Sequence, residues 1–204
     1  MLVLGHAGIT LGVAVLISGA ANTTCSRLSM REQATALPPK NLPNHPSSWL
    51  TYLAERIDIR LLLVASLLPD IIDKPLGYLF FRESISNGRT IGHTFLFLII
   101  ITLAGFLLYY YSKRTWLLVI SFGIFIHLVL DQMWMTPKTL LWPLLGFTFE
   151  KHDISNYIPG LIDSLTTKPQ VYVPEIAGGL ILLWFAWEII KRRRLLFFVR
   201  HGRI

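Results

Sequence analysis

The sequence predicts an all-α fold, a multi-pass transmembrane helical bundle of about five spans. Three observations carry that expectation. Of the 204 residues, 53% are apolar and only 15% are charged, against about 25% charged in an average soluble domain. The apolar residues gather into runs that approach the roughly 20 residues needed to cross a bilayer. The Lys and Arg residues fall almost wholly in the connectors between those runs. The length leaves room for one bundle, so residues 1–204 read as a single integral-membrane domain.

Residues 2–21 form the first apolar run. No Lys or Arg precedes it, so the basic front of a cleaved signal is missing, and the run reads as a helix of the mature protein. Residues 22–56 are a polar connector with Pro38, Pro39, Pro43 and Pro46. Residues 57–72 are a shorter run with Asp58 and Arg60 at the front. Those two can snorkel or cap, which suits a tilted or thinly embedded span, with a re-entrant segment as the alternative. Residues 74–92 make a polar loop containing Gly77 and Gly88. Spans at 94–111 and 116–135 come next, then a long connector over 136–173 with Pro137, Pro143, Pro159 and Pro169. The last span is 174–190, and a basic tail fills 191–204. Clustered Lys and Arg can bind nucleic acid, but beside a membrane helix they read as a cytoplasmic flank. The expected partners are therefore the lipid bilayer and an unidentified substrate, with no nucleic acid. Cys25 is the only cysteine, which excludes an intrachain disulfide and a thiolate metal site.

Five spans place the termini on opposite sides. Arg27, Arg31, Lys40, Arg56, Arg60, Lys113, Arg114 and the six basic residues of the tail fall on one side. Lys74, Arg82, Arg89, Lys138, Lys151 and Lys168 fall on the other. The positive-inside rule makes the first side cytoplasmic. The N-terminus is then outside and the C-terminus inside, in a cell (plasma or inner) membrane.

Six ionisable residues sit inside or at the ends of the apolar runs: His6, Asp70, Asp73, His93, His127 and Asp131. Such residues are costly within a bilayer, about 2.5–3.5 kcal/mol for a carboxylate or cation at mid-depth on the lenient scale, and mark function by default. The topology, drawn without them, brings all six to the outer side. Asp70 and Asp73 are three apart and His127 and Asp131 four apart, so each pair shares a helix face. Imidazole and carboxylate together are the ligands of a divalent ion, with zinc the first expectation and manganese or iron next. Such an ion activates water, the chemistry of a hydrolase. Six candidates exceed the three protein ligands of a mononuclear catalytic zinc. Either two ions are held, or some of the six support the ligands or act as a base; Asp73 is the one also expected in a catalytic role. Arg89, placed one helical turn before His93, is the expected clamp for an anionic substrate group such as a phosphate, with Arg82 and Lys74 behind it. His45, His152 and His201 lie in polar segments and are assigned no role.

At these residues the chain resembles the YdjM-like family of LexA-binding, inner-membrane-associated proteins, also called membrane-bound metal-dependent hydrolases. The resemblance rests on Gly5-His6-Ala7-Gly8-Ile9-Thr10, on Leu68-Pro69-Asp70-Ile71-Ile72-Asp73, on Arg89-Thr90-Ile91-Gly92-His93-Thr94, on His127-Leu128-Val129-Leu130-Asp131 and on Leu141-Trp142-Pro143. It implies a multi-pass helical protein and a metal-dependent hydrolase, and it implies no substrate. The family's pattern around the second histidine reads more like His-Arg-x-x-Thr-His-Ser. Here Gly88-Arg89 stands for His-Arg and Thr94 for the Ser, one ligand fewer, which weighs against a pair of ions.

Two other readings compete. The Gly92-His93 and His127…Asp131 pairs also suit a metal-independent lipid phosphatase, in which a histidine attacks phosphorus and Asp131 orients it. That reading leaves His6, Asp70 and Asp73 unused. An ion- or proton-coupled transporter, or a membrane scaffold, explains intramembrane carboxylates and imidazoles, but not their collection on one side.

Overall fold

A computed structural model of the protein describes residues 2–17, 57–80, 87–149 and 157–202. Every regular element among them is helical, and no strand occurs among the described residues. In chain order they are α1 (Val3–Ile17), α2 (Ile59–Ala65), α3 (Leu68–Pro75), a π-helical turn (Leu76–Phe80) and a 3-10 turn (Ile91–His93). Then come α4 (Phe95–Ser112), α5 (Trp116–Leu130), a second 3-10 turn (Met133–Met135), α6 (Pro137–Leu140), α7 (Tyr157–Thr167), α8 (Pro169–Lys191) and α9 (Leu195–His201).

Among the described residues, only α4 and α8 are both long and apolar enough to cross a membrane; α1 and α5 are apolar but shorter. The expected run 57–72 is not one helix. Asp58 caps α2 by accepting from the Arg60 and Leu61 N–H groups at 3.0 and 3.4 Å, and α2 stops at Ala65. Pro69, which has no N–H to give, sits in the first turn of α3, where none is needed. The break leaves the Ser66 carbonyl outside both helices. The run expected to reach Met135 ends at Leu130, where Gln132 turns left-handed (φ 52°) into the second 3-10 turn. The last long helix begins at Pro169, not Pro174, and takes Pro174 inside. The long connector before it holds two further helices, α6 and α7.

α4 and α5 form an antiparallel hairpin through residues 113–115. Thr102 and Ser121 share a hydrogen bond across it at 2.5 Å, and Leu98, Ile124, Leu128 and Met133 make its buried core. α2 lies between α1 and α5, with Ala14, Leu62 and Val119 packed together. Its close approach depends on Gly123, where a Cβ would meet Ala65 and the Ser66 nitrogen. α1 meets α8 through Leu11, Phe185 and Ile189. That crossing is closer still: a Cβ on Gly8 would fall on the Gly178 carbonyl, and one on Gly178 on the Leu4 carbonyl. α4 turns Ile100, Leu103, Phe106 and Leu107 outward, an apolar face that suits lipid rather than water.

Candidate metal centre

The helix break, the glycine crossings and the 3-10 turn bring three imidazoles together. His6 comes from the second turn of α1, His93 closes the 3-10 turn, and His127 stands near the end of α5. All three are wholly buried. The His6 and His127 rings stack at 4.2 Å between centroids, and His93 meets His127 edge-on at 5.0 Å.

Each ring has its Nδ1 engaged by an acceptor. His6 Nδ1 donates to the Leu2 carbonyl at 2.7 Å, and His127 Nδ1 donates to the Ser66 carbonyl at 2.6 Å. His93 Nδ1 donates to Asp73 Oδ2 at 2.7 Å. A neutral imidazole with its proton on Nδ1 presents a bare lone pair at Nε2. The three Nε2 atoms therefore turn lone pairs inward. His93 Nε2 and His127 Nε2 are 3.1 Å apart, where two lone pairs repel unless a positive centre lies between them. His6 Nε2 is 3.1 Å from Asp131 Oδ1, and with its proton on Nδ1 it has no hydrogen to donate to that carboxylate; among the described residues this buried nitrogen has no hydrogen-bond partner.

Carboxylates complete the set. Ligand atoms of His6, His127 and Asp131 lie within 4.8 Å of one another, as do those of Asp70, His93 and His127. His127 belongs to both groups. The fit to a metal is good: two ring nitrogens on a tetrahedral zinc sit about 3.3 Å apart, close to the observed pair. Arg89 Nη2 holds Asp131 Oδ2 at 2.8 Å, and Lys74 Nζ holds Asp70 Oδ2 at 2.7 Å. The carboxylate of Asp131 is 5% exposed while the Arg89 side chain is 41% exposed, so the guanidinium stands between the centre and its surroundings.

Five of the six expected ligands thus converge, and Asp73 stands behind them. Its carboxylate accepts from the backbone N–H of Thr90, Gly92 and His93 at 2.5, 2.8 and 3.2 Å besides the His93 ring. It belongs to neither ligand group, and its four donors fold the 87–93 segment around it. Arg89 does not lie on a helical turn before His93; it sits in irregular chain whose amide donates to Asn87 Oδ1. His201 is exposed on α9, stacked on Phe197. Arg82, His45 and His152 lie outside the described residues. Asp131 faces His6 and Arg89, whereas His127 is oriented by the Ser66 carbonyl, which is not the pairing a nucleophilic His127 would need.

Sequence reasoning missed three contributors. Two are backbone carbonyls, Leu2 and Ser66, and carry no residue-type signal. The third is Glu175, a buried carboxylate early in α8 that accepts from the Leu2, Leu4 and Gly5 N–H groups. An acid at the start of an apolar run was its signal, the kind of position that also marks Asp70 and Asp131.

Among known families, the one described as YdjM inner membrane protein matches residues 1–195. No curated protein and no solved structure matches the chain.

Proposed function

Since the chain belongs to the YdjM inner membrane protein family, we propose that it is a membrane-embedded metal-dependent hydrolase acting on a phosphate- or lipid-containing substrate. The observation that carries this reading is the pair of bare Nε2 atoms of His93 and His127 at 3.1 Å, each with its Nδ1 already committed. His6, His93, His127, Asp70 and Asp131 would hold a divalent ion, zinc before manganese or iron. When bound, such an ion acts as a Lewis acid and brings the pKa of water toward about 7.

The chain's own residues do the rest. Asp73 holds the His93 ring in one tautomer and strengthens its Nε2 as a donor. Ser66 and Leu2 do the same for His127 and His6 through their carbonyls. Arg89 offers a planar pair of N–H groups to an anionic substrate group at the open side of the centre. Whichever of Asp70 and Asp131 is not engaged by the ion, each held by a cation, Lys74 or Arg89, would take a proton from water. Burial of the imidazoles keeps bulk solvent away and strengthens each of these interactions.

In this reading the chain is one domain with about five spans, the centre toward the outer face and the basic tail in the cytoplasm. Reporter fusions at Ile204 and near Ser155 are expected to give opposite polarity; equal polarity means that α8 does not cross. Elemental analysis of the detergent-purified protein tests the metal. Stoichiometric zinc, manganese or iron is the expected result. Protein that neither retains nor takes up any of the three overturns the hydrolase.

A further inference from the structure

Among the described residues, Glu175 is a carboxylate buried beside the metal centre that the proposed chemistry leaves unused. It sits in α8, 9% exposed, facing the first turn of α1. Its Oε1 accepts the Leu2 N–H at 2.6 Å, and its Oε2 accepts the Leu4 and Gly5 N–H groups at 3.1 Å each. The first N–H groups of a helix have no partner within it, and an anion placed there also meets the positive end of the helix dipole. This cap comes from 170 or more residues away.

The cap reaches beyond helix stability, because residue Leu2 is held through both of its backbone polar groups. Its N–H points to Glu175, and its carbonyl accepts both the His6 N–H at 3.3 Å and the His6 ring Nδ1 at 2.7 Å. A short run of chain at Leu2 therefore links the Glu175 carboxylate to the His6 imidazole. Gly8 and Gly178 fix the distance, since neither leaves room for a Cβ at the crossing of α1 and α8.

We propose that Glu175 is a positioning residue for His6: through Leu2 it sets the tautomer and direction of the His6 ring, so that Nε2 faces Asp131 and His127. Asp73 serves His93 by direct contact; Glu175 serves His6 at one remove. The inference rests on the metal-centre reading for its consequence, but not for its geometry, and the test separates the two.

Five full-length proteins in detergent are compared: wild type, Glu175→Gln, Glu175→Ala, His6→Ala and the Glu175→Ala/His6→Ala double variant. The first measurement needs no metal. In nitrogen-15 histidine spectra of the metal-free protein, His6 is expected as a single Nδ1-protonated tautomer in wild type. It is expected to become a tautomer mixture in Glu175→Ala and an intermediate case in Glu175→Gln, which keeps one acceptor oxygen. The second measurement is cobalt(II) affinity, by competition with a chromophoric chelator. Outer partners of metal ligands typically contribute 10–100-fold, and Glu175→Ala is expected to lose about ten-fold. The double variant is expected to bind no more weakly than His6→Ala, because two residues acting through one ligand are not additive. An unchanged His6 tautomer in both Glu175 variants overturns the inference, whatever the metal does; so do cobalt losses that add in the double variant. If Glu175→Ala does not fold, Glu175→Gln carries both readings. A wild-type protein that takes up no cobalt, but whose His6 tautomer shifts in the Glu175 variants, supports the positioning role and removes the metal-dependent hydrolase.

Discussion

On the His93 side of the centre, everything needed lies within about 20 residues of chain: Asp73, the turn at Thr90–Gly92, and the ring itself, joined by four hydrogen bonds to one carboxylate. On the His6 side, the same outcome depends on α1, α8 and the end of α5. The Nδ1 acceptor is a neutral carbonyl, and the anchoring carboxylate lies 173 residues from the peptide it holds. One half is a local motif that closes on itself. The other is a product of helix packing. Local motifs tie metal binding to their own folding, whereas packed ones tie it to the assembly of the whole bundle.

The largest expected effect separates the halves by stability. Asp73→Ala removes the acceptor of four buried donors, and each buried donor left unsatisfied costs about 1–3 kcal/mol. His6→Ala removes a ring with one backbone acceptor and should cost less than half as much. Urea unfolding in detergent, followed by circular dichroism, measures both; equal losses would break the comparison. Next comes the shared vertex. His127 belongs to both ligand groups, so His127→Ala is expected to lower metal affinity more than the 10–100-fold typical of an outer partner, and more than His6→Ala or His93→Ala. Chelator competition reads this directly. Retention of wild-type metal by both His127→Ala and Asp131→Ala would sink the centre itself.

A third change acts on packing alone. Gly178→Ala puts a methyl group against the Leu4 carbonyl, and such overpacking typically costs about 1–3 kcal/mol. Metal affinity should fall toward that of His6→Ala, while His93 spectra stay as in wild type. A perturbed His93 signal would mean the halves are not separate. The smallest effect sharpens the role of Arg89. Lys keeps the charge but loses the planar donor pair. Arg89→Lys is expected to retain metal while kcat/KM on a chromogenic phosphodiester falls about ten-fold, or roughly 1.4 kcal/mol. Unchanged turnover, with metal lost in Arg89→Ala, would leave Arg89 as a structural partner of Asp131 only.

The same division explains what could be read from the sequence. The helical class and the apolar runs were legible because composition and run length report burial or lipid directly. The His and Asp residues were legible because ionisable groups are rare in such runs. Legibility stopped where backbone and packing decide. Nothing in Ser66 announces that its carbonyl is released; that depends on α2 ending at Ala65, and Pro69 was the only hint. Asp70 and Asp73 look equivalent in Leu68-Pro69-Asp70-Ile71-Ile72-Asp73, yet one faces the centre and the other stands behind His93, since the fold of residues 87–93 chooses between them. Glu175 was readable as an acid in an apolar run, but its target, the start of α1, is a matter of which helices meet.

The long reach of the Glu175 cap also sets an order of events during synthesis. Leu2, Leu4 and Gly5 leave the ribosome some 170 residues ahead of the side chain that caps them. At about 5–20 residues per second, that interval is roughly ten to thirty seconds. Until α8 arrives, the start of α1 must find its hydrogen-bond partners in interfacial water or in the insertion machinery, because lipid supplies none. The Asp73–His93 half can close soon after residue 93 emerges. If Glu175 positions His6 as proposed, the His6 side of the centre would be completed only once α8 is in place, long after the His93 side.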